Sequence, residues 1–327
     1  MAAIDAGGRV PARVAVPQKP RSMLPYYAYR LGETLVRVLP RRTAYWVGDR
    51  AADAMLLAVP HNFDALRDNL RHVIPRADDA TLQRTLRHNV RNLTHSWVDV
   101  MEMSSHYHLD LPSRLDISGL ENYHRAAARG HGVVIASLHY GSWEVGLAGW
   151  NALGGKMALL AEVLQPPQLF ERIVGGRGNQ RVQVIPIDVA AMRSGDVQAA
   201  RRIGAASMRE VFRVLRAGNA VAVALDRDLI GNGEPLPFFG EPAPIPIGAV
   251  DIAIRAGAAI VPVILYRADQ RVDAVAYPEI EYSADAPREP EVRKTAGKLL
   301  ALFEQVISDH PDQWHVLDPI WPAKAPA

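Results

Sequence analysis

No cysteine occurs anywhere in the 327 residues. That absence excludes disulfides, thiol nucleophiles and thiolate metal sites together, and removes zinc-thiolate and redox enzymes from consideration. Long apolar runs are missing as well: no window reaches the roughly 18 to 20 uninterrupted apolar residues that spanning a bilayer requires. The opening stretch "MAAIDAGGRVPARVAVPQKPRS" has prolines and arginines where a signal peptide needs an apolar segment, so a disordered tail over 1–22 of a cytoplasmic chain is expected. No G-x-S-x-G nucleophile elbow is present, which leaves a serine-hydrolase route without its nucleophile. The formal charge is only +2, with no dense basic patch or recognisable module, and no nucleic acid partner is expected. What remains is ordinary globular material, 49% hydrophobic and 22% charged, long enough for one large α/β domain or two small ones.

Two rhythms divide the chain. From about Pro25 to His108, apolar residues recur at three- and four-residue intervals, broken at Pro40, Pro60 and Pro75, which predicts four or so amphipathic helices in an N-terminal helical subdomain, 23–112. After Pro112 short apolar runs alternate with helical stretches: "VVIASL" at 133, "KMALLAE" at 156, "VQVIPI" at 182, "AVAVAL" at 220, "AIVPVIL" at 259 and "RVDAVAYPEI" at 271. Runs of that length without polar alternation suit strands covered on both faces. The expected fold class is therefore α/β, a mostly parallel central sheet flanked by helices, with the core at 113–327 and one continuous domain over 23–327.

One such run ends in chemistry-bearing residues. His139 follows "VVIASL", and "YGSWEVGLAGW" then turns helical, with Ser142 a good N-cap and Glu144 in the first turn. On one continuous helix, positions five apart lie about 140° out of line. With His139 in the strand-to-helix loop instead, the Glu144 carboxylate can reach back, hold one imidazole nitrogen and leave the other as a general base. The spacing alone is weak, since 11 histidines and 35 acidic residues produce about one His-x4-acid match by chance. Glu144 serves equally well as a first-turn acid favouring the helix dipole.

The stretch "ALDRDLIGNGEPLPFFGEPAPIPIGAVDIAIRAGAAIVPVILY", 224–266, together with "LHYGSWE" and the C-terminal "HPDQWHVLDPIWP", resembles the bacterial lipid A and phosphatidylinositol mannoside acyltransferases of the lysophospholipid acyltransferase superfamily. The likeness runs from about 25 to 322. "DRDL", "FFGEP" and P-x-G look closest to the mannoside branch, which usually has Asp where this chain has Glu144. The resemblance implies transfer of a fatty acyl group from acyl-CoA or acyl carrier protein, as co-substrate rather than cofactor, to a hydroxyl of a membrane glycolipid. His139 would take the hydroxyl proton, Glu144 would orient it, and the backbone N–H groups at Ser142 and Trp143 would meet the developing oxyanion. A lipid A precursor is the alternative acceptor. A thioesterase or a non-catalytic lipid-binding protein are the alternative classes.

The resemblance also matches Glu162 and Arg177 to a glutamate and an arginine of the mannoside branch; a surface pair between the two reads equally well. Asp226, Arg227 and Asp228 follow "AVAVAL" and would emerge on the same sheet edge as His139, with Asp226 supporting catalysis and the others binding a headgroup, or all three forming a structural ion-pair network. Phe238 and Phe239 would line an acyl channel or belong to the core. Aromatics, leucines and arginines in "PYYAYRLGETLVRVLPRR" suit an interfacial helix, so peripheral binding to an anionic membrane surface, on the cytoplasmic face, is expected.

Overall fold

The computed structural model describes residues 22–106, 111–153, 155–179, 182–193 and 196–321; apart from Ser22, the expected tail lies outside them. Four helices lead: α1 (Leu24–Val38), α2 (Arg41–Ala58), α3 (Asp64–Val73) and α4 (Asp79–His106). Pro40 caps the start of α2 and Pro60 opens a 3-10 turn before α3, as expected where proline removes a helix donor. There follow α5 (Leu111–Arg114), β1 (Leu115–Ser118), α6 (Leu120–Ala127), β2 (Val133–Ser137), α7 (Trp143–Ala152), β3 (Met157–Glu162), α8 (Pro167–Asn179), β4 (Val182–Ile187), α9 (Val189–Met192), α10 (Val197–Arg216) and β5 (Ala220–Ala224). The chain continues through β6 (Glu234–Phe238), β7 (Glu241–Ile245), α11 (Gly248–Ala256), β8 (Ala259–Ala268), β9 (Arg271–Ala276) and α12 (Arg288–Asp309).

The described residues form a seven-stranded sheet in the order β1-β9-β8-β2-β5-β3-β4, with β6 and β7 as a separate ribbon. All neighbouring pairs are parallel except β8 with β9, so the protein is α/β with a mostly parallel sheet. Alternate residues of β2 feed two cores. Val133 and Ile135 pack with Tyr123, Leu147 and Trp150 of α6 and α7. Val134, Ala136 and Leu138 pack with Val211 and Leu215 of α10, Val250 of α11 and Phe303 of α12.

Two elements were not expected. Strand β1 is four residues long and mostly exposed, so it lacks the apolar run by which the inner strands announce themselves. The proline-rich segment after Asp228 forms the β6–β7 ribbon, in which Pro235 faces Pro244 and Pro237 faces Pro242. The prolines alternate with buried Leu236, Phe238, Ala243 and Ile245, and the ladder survives because the missing N–H groups are the outward ones.

A buried ionic cluster ties the leading helices to the sheet. Asp99 of α4 is fully buried and accepts hydrogen bonds from Tyr45 Oη of α2 at 2.5 Å, Arg114 Nη2 of α5 at 2.5 Å, Arg267 Nη2 of β8 at 2.6 Å and Ser142 Oγ at 2.7 Å. Burial alone would raise its pKa, but the two guanidiniums and the Tyr45 and Ser142 donors outweigh it and hold the carboxyl at about 2. Asp99→Asn leaves buried Arg267 without a carboxylate and Arg114 with Glu102 alone, and should cost about 3–5 kcal/mol in denaturant unfolding. Because the folded pKa is depressed, the wild-type contribution is complete above the unfolded Asp value of about 3.9 and is lost as pH falls from there towards 2. The variant should lack that acid-dependent loss; a cost under about 1 kcal/mol would remove the cluster's structural role.

Candidate active site

Strands β2 and β5 pair in parallel with Ser137 beside Ala224. Two residues further on, the same register sets His139 beside Asp226. His139 Nδ1 lies 2.8 Å from Asp226 Oδ1, and the His139 backbone N–H donates to Asp226 Oδ2 at 2.8 Å. The Trp314 indole N–H donates to the same Oδ2, also at 2.8 Å. Asp226 is buried at 2% exposure, whereas the His139 side chain is 38% exposed. Burial opposes ionisation of Asp226, but the facing imidazole and the three hydrogen bonds lower its pKa. The arrangement holds Nδ1 as the protonated nitrogen and leaves Nε2 as the free base.

The partner of His139 is thus Asp226 and not Glu144. Glu144 is buried and turned to Arg177, whose Nε donates to its Oε1 at 3.0 Å and whose Nη2 also contacts that oxygen. The physical reason is the helix geometry: on the first turn of α7 the carboxylate points across to α8, while the strand register brings Asp226 to the imidazole. Arg177 therefore pairs with Glu144, and Glu162 pairs with Arg227, which also lies 3.2 Å from Asp318. Asp228 accepts backbone N–H groups from Ile230, Gly231 and Gly233 and braces its own loop. The Asp-Arg-Asp run divides accordingly: one carboxylate at the histidine, the other two residues in loop and ion-pair structure.

Ser142 is the residue before α7, but its hydroxyl donates to Asp99 rather than capping the helix. No side chain caps the first N–H groups of α7, so they keep the positive end of the helix available beside His139. The Trp143 indole donates to Leu138 O at 2.7 Å, which clamps the strand-to-helix loop. From the other side, the backbone of His139 accepts from His315 N–H at 2.7 Å and Tyr140 bridges Trp314.

Beneath this loop, between α6, α7 and the sheet, lies a cavity of about 80 Å³ lined almost wholly by apolar groups, among them Ile135, Ser137, Trp143, Leu147, Trp150 and Val263. Ile135 and Ser137 of β2 line this cavity, and His139 follows in the loop two residues beyond the strand's end. Phe238 and Phe239 do not line it. Phe238 is fully buried on the opposite face, stacked on Trp321 at 5.7 Å and edge-on to Trp314. Phe239 turns the β6–β7 ribbon with φ 50°. Among the described residues no cluster of His, Asp and Glu is placed to hold a metal ion.

The model of the bacterial lipid A biosynthesis acyltransferase family matches residues 17–322. The chain belongs to that family. Phosphatidylinositol mannoside acyltransferases of two Mycobacterium tuberculosis strains are 27% identical over 315 residues, 94% of this chain and 92% of theirs. The one from Mycolicibacterium smegmatis is 26% identical over 293 residues, 90% of each chain. The match extends over the helices and the sheet alike.

Trp314 and His315 belong to a stretch the sequence marks, but their contacts are set by folding of the C-terminal segment onto β2. His315 Nδ1 faces Asn89 Oδ1 at 3.1 Å, while Asn89 donates to Pro311 O and Trp314 O. His315 is held neutral, its pKa pushed down to about 3 by burial first and then by Arg267 and His139. Its unfolded value is about 6.5, so the unfolded chain binds a proton that the folded chain refuses between those two values. Stability should fall as pH drops from 6.5 towards 3, by at most about 1.4 kcal/mol per pH unit from this residue. His315→Gln should flatten that part of the stability curve in pH-dependent denaturant titrations; an unchanged slope would refute the assignment.

Proposed function

We propose that this acyltransferase moves a fatty acyl group from an acyl thioester to a hydroxyl of a membrane glycolipid, a phosphatidylinositol mannoside being the acceptor suggested by the relatives, with a lipid A precursor the second choice. The observation that carries the proposal is the His139–Asp226 pair, just beyond the end of the strand whose Ile135 and Ser137 line an apolar cavity. His139 Nε2 takes the acceptor hydroxyl proton as that oxygen attacks the thioester carbonyl. The C–O bond forms and negative charge gathers on the former carbonyl oxygen, opposite the uncapped N–H groups of α7 at Ser142 and Trp143. Collapse breaks the C–S bond, and the departing thiolate recovers the proton from the imidazolium. Asp226 stays ionised throughout, fixes the ring tautomer and stabilises its charged form. No acyl-enzyme is formed, and no cofactor enters the balance. The cavity takes the acyl chain away from water.

Among the described residues no helix is long and apolar enough to cross a membrane. The acceptor is met at the interface instead. Leu24, Tyr27, Leu31, Leu35 and Val38 form a stripe along α1, with Leu24, Leu31 and Val38 exposed at 71%, 63% and 71%. They recur at three and four residues and fall on one side of the helix. Exposed Trp46 and Leu57 of α2 add to this surface, and Arg30 and Arg37 flank it. Such a face suits an anionic bilayer surface.

Palmitoyl-CoA cleavage, read as thiol release with and without a phosphatidylinositol mannoside, tests the chemistry. His139→Ala and Asp226→Asn should each lower acceptor-stimulated release by about 10²–10⁴-fold while the proteins remain folded. The asparagine amide would donate to Nδ1 and leave Nε2 protonated, the wrong tautomer for a base. Release that ignores the acceptor would make the protein a thioesterase, and wild-type rates in either variant would end the mechanism. The membrane face has its own test. Leu31→Glu should weaken cosedimentation with anionic vesicles by about tenfold or more, whereas equal binding by variant and wild type would place the interface elsewhere.

A further inference from the structure

The helix α10 carries a feature that the acyl-transfer mechanism does not use. Arg202, Arg209, Arg213 and Arg216 recur at seven, four and three residues and all are exposed. At about 100° per residue they lie within a stripe some 60° wide and about 21 Å long. Exposed Arg201 lies near its start, and exposed Ala205 and Ala206 fill the gap between Arg202 and Arg209. Glu210 is the one acidic residue of the helix, and it is paired with Arg213. Among the described residues Arg201, Arg202 and Arg209 form no ion pair, so the stripe keeps a net positive charge.

Its position is informative. The inner side of α10, through Val211, Val214 and Leu215, packs on the sheet face opposite the apolar cavity. The helix connects β4 to β5 and therefore begins at the sheet edge where β2 and β5 deliver His139 and Asp226. In the sheet order β4 stands three strand spacings from β2, about 14 Å. A donor seated on the start of α10 can reach the histidine with an extended arm.

We propose that the outer face of α10 docks a small acidic carrier protein, which presents the acyl thioester to His139 on its prosthetic arm; this rests on the acyl-transfer reading. The length of the stripe suits the flank of a helical protein and exceeds what one nucleotide's phosphates would span. A bilayer is the poorer match, because among the described side chains of α10 no large apolar residue is exposed, whereas α1 and α2 carry such residues. The small alanines between the arginines allow a partner helix to approach closely, and complementary charge supplies the steering.

The test uses the full chain and a bacterial acyl carrier protein in two forms, unloaded holo-protein for binding and palmitoylated protein for turnover. Binding is titrated at low salt for wild type, Arg202→Glu/Arg209→Glu, and Arg125→Glu as a control on α6. The double variant should bind the carrier about tenfold or more weakly and show a matching rise in KM for the palmitoylated carrier. Its KM for palmitoyl-CoA and its vesicle binding should stay at wild-type values, and the control should match wild type throughout. No carrier binding by the wild type would overturn the proposal. So would equal weakening towards palmitoyl-CoA, which would mark a phosphate site, or loss of vesicle binding, which would mark a membrane face. Carrier binding by the α10 face in a chain that transfers no acyl group from either donor would uphold the docking surface and sink the acyl-transfer reading alone.

Discussion

A single buried carboxylate organises the C-terminal end of this mostly parallel sheet. Asp226 receives the ring and the backbone N–H of His139 and the indole N–H of Trp314, so one side chain joins the ends of two strands to the C-terminal segment. Desolvation makes an isolated carboxylate costly there. It is tolerated because each oxygen is engaged in hydrogen bonds. The same hydrogen bonds that offset the cost of the buried charge also fix the ring, so burial of the carboxylate and orientation of the imidazole draw on one set of contacts.

A second buried carboxylate, Asp99, does for the loop what Asp226 does for the histidine. It links α2, α4, α5 and β8 and takes the Ser142 hydroxyl, while Ser96 Oγ donates to Gly141 O at 2.7 Å. The segment from His139 to Ser142 is therefore fixed from both sides, by the C-terminal segment and by α4. The leading helices serve two ends: an outer surface with an apolar stripe, and an inner surface that sets the position of α7. The serine that sequence marks as a helix cap is spent on this link, which leaves the start of α7 without a side-chain cap close to His139 in the chain.

Much of this was legible in the sequence. The apolar runs locate six of the strands, and His139 stands out at the end of one of them. Asp226 could be placed on the same edge because its own strand ends one turn of phrase later in the pattern, "AVAVAL" then "DRD". What could not be read was which acid meets the imidazole. Glu144 is five residues away and Asp226 is 87 away, and only the β2–β5 register, a long-range property, reverses that order of proximity. Arg177 pairs with Glu144 instead of its expected partner Glu162, which meets Arg227, because β3 and β5 are neighbours and their ends bring Glu162 and Arg227 together. Phe238 and Phe239 were attractive as channel residues because aromatic pairs suit both roles; the alternation of β6 sends Phe238 to the opposite core. The Asp99 cluster gathers residues from four distant segments, and nothing local announces it.

The outward prolines of the β6–β7 ribbon bear on how the chain behaves in a crowded cell. A two-stranded ribbon has two free edges, and each would ordinarily offer donors to any extended peptide that drifts alongside. Here Pro235, Pro237, Pro242 and Pro244 occupy the outward positions, so both rims are poor templates for strand addition. The ribbon can stay two strands wide without recruiting another copy along either rim.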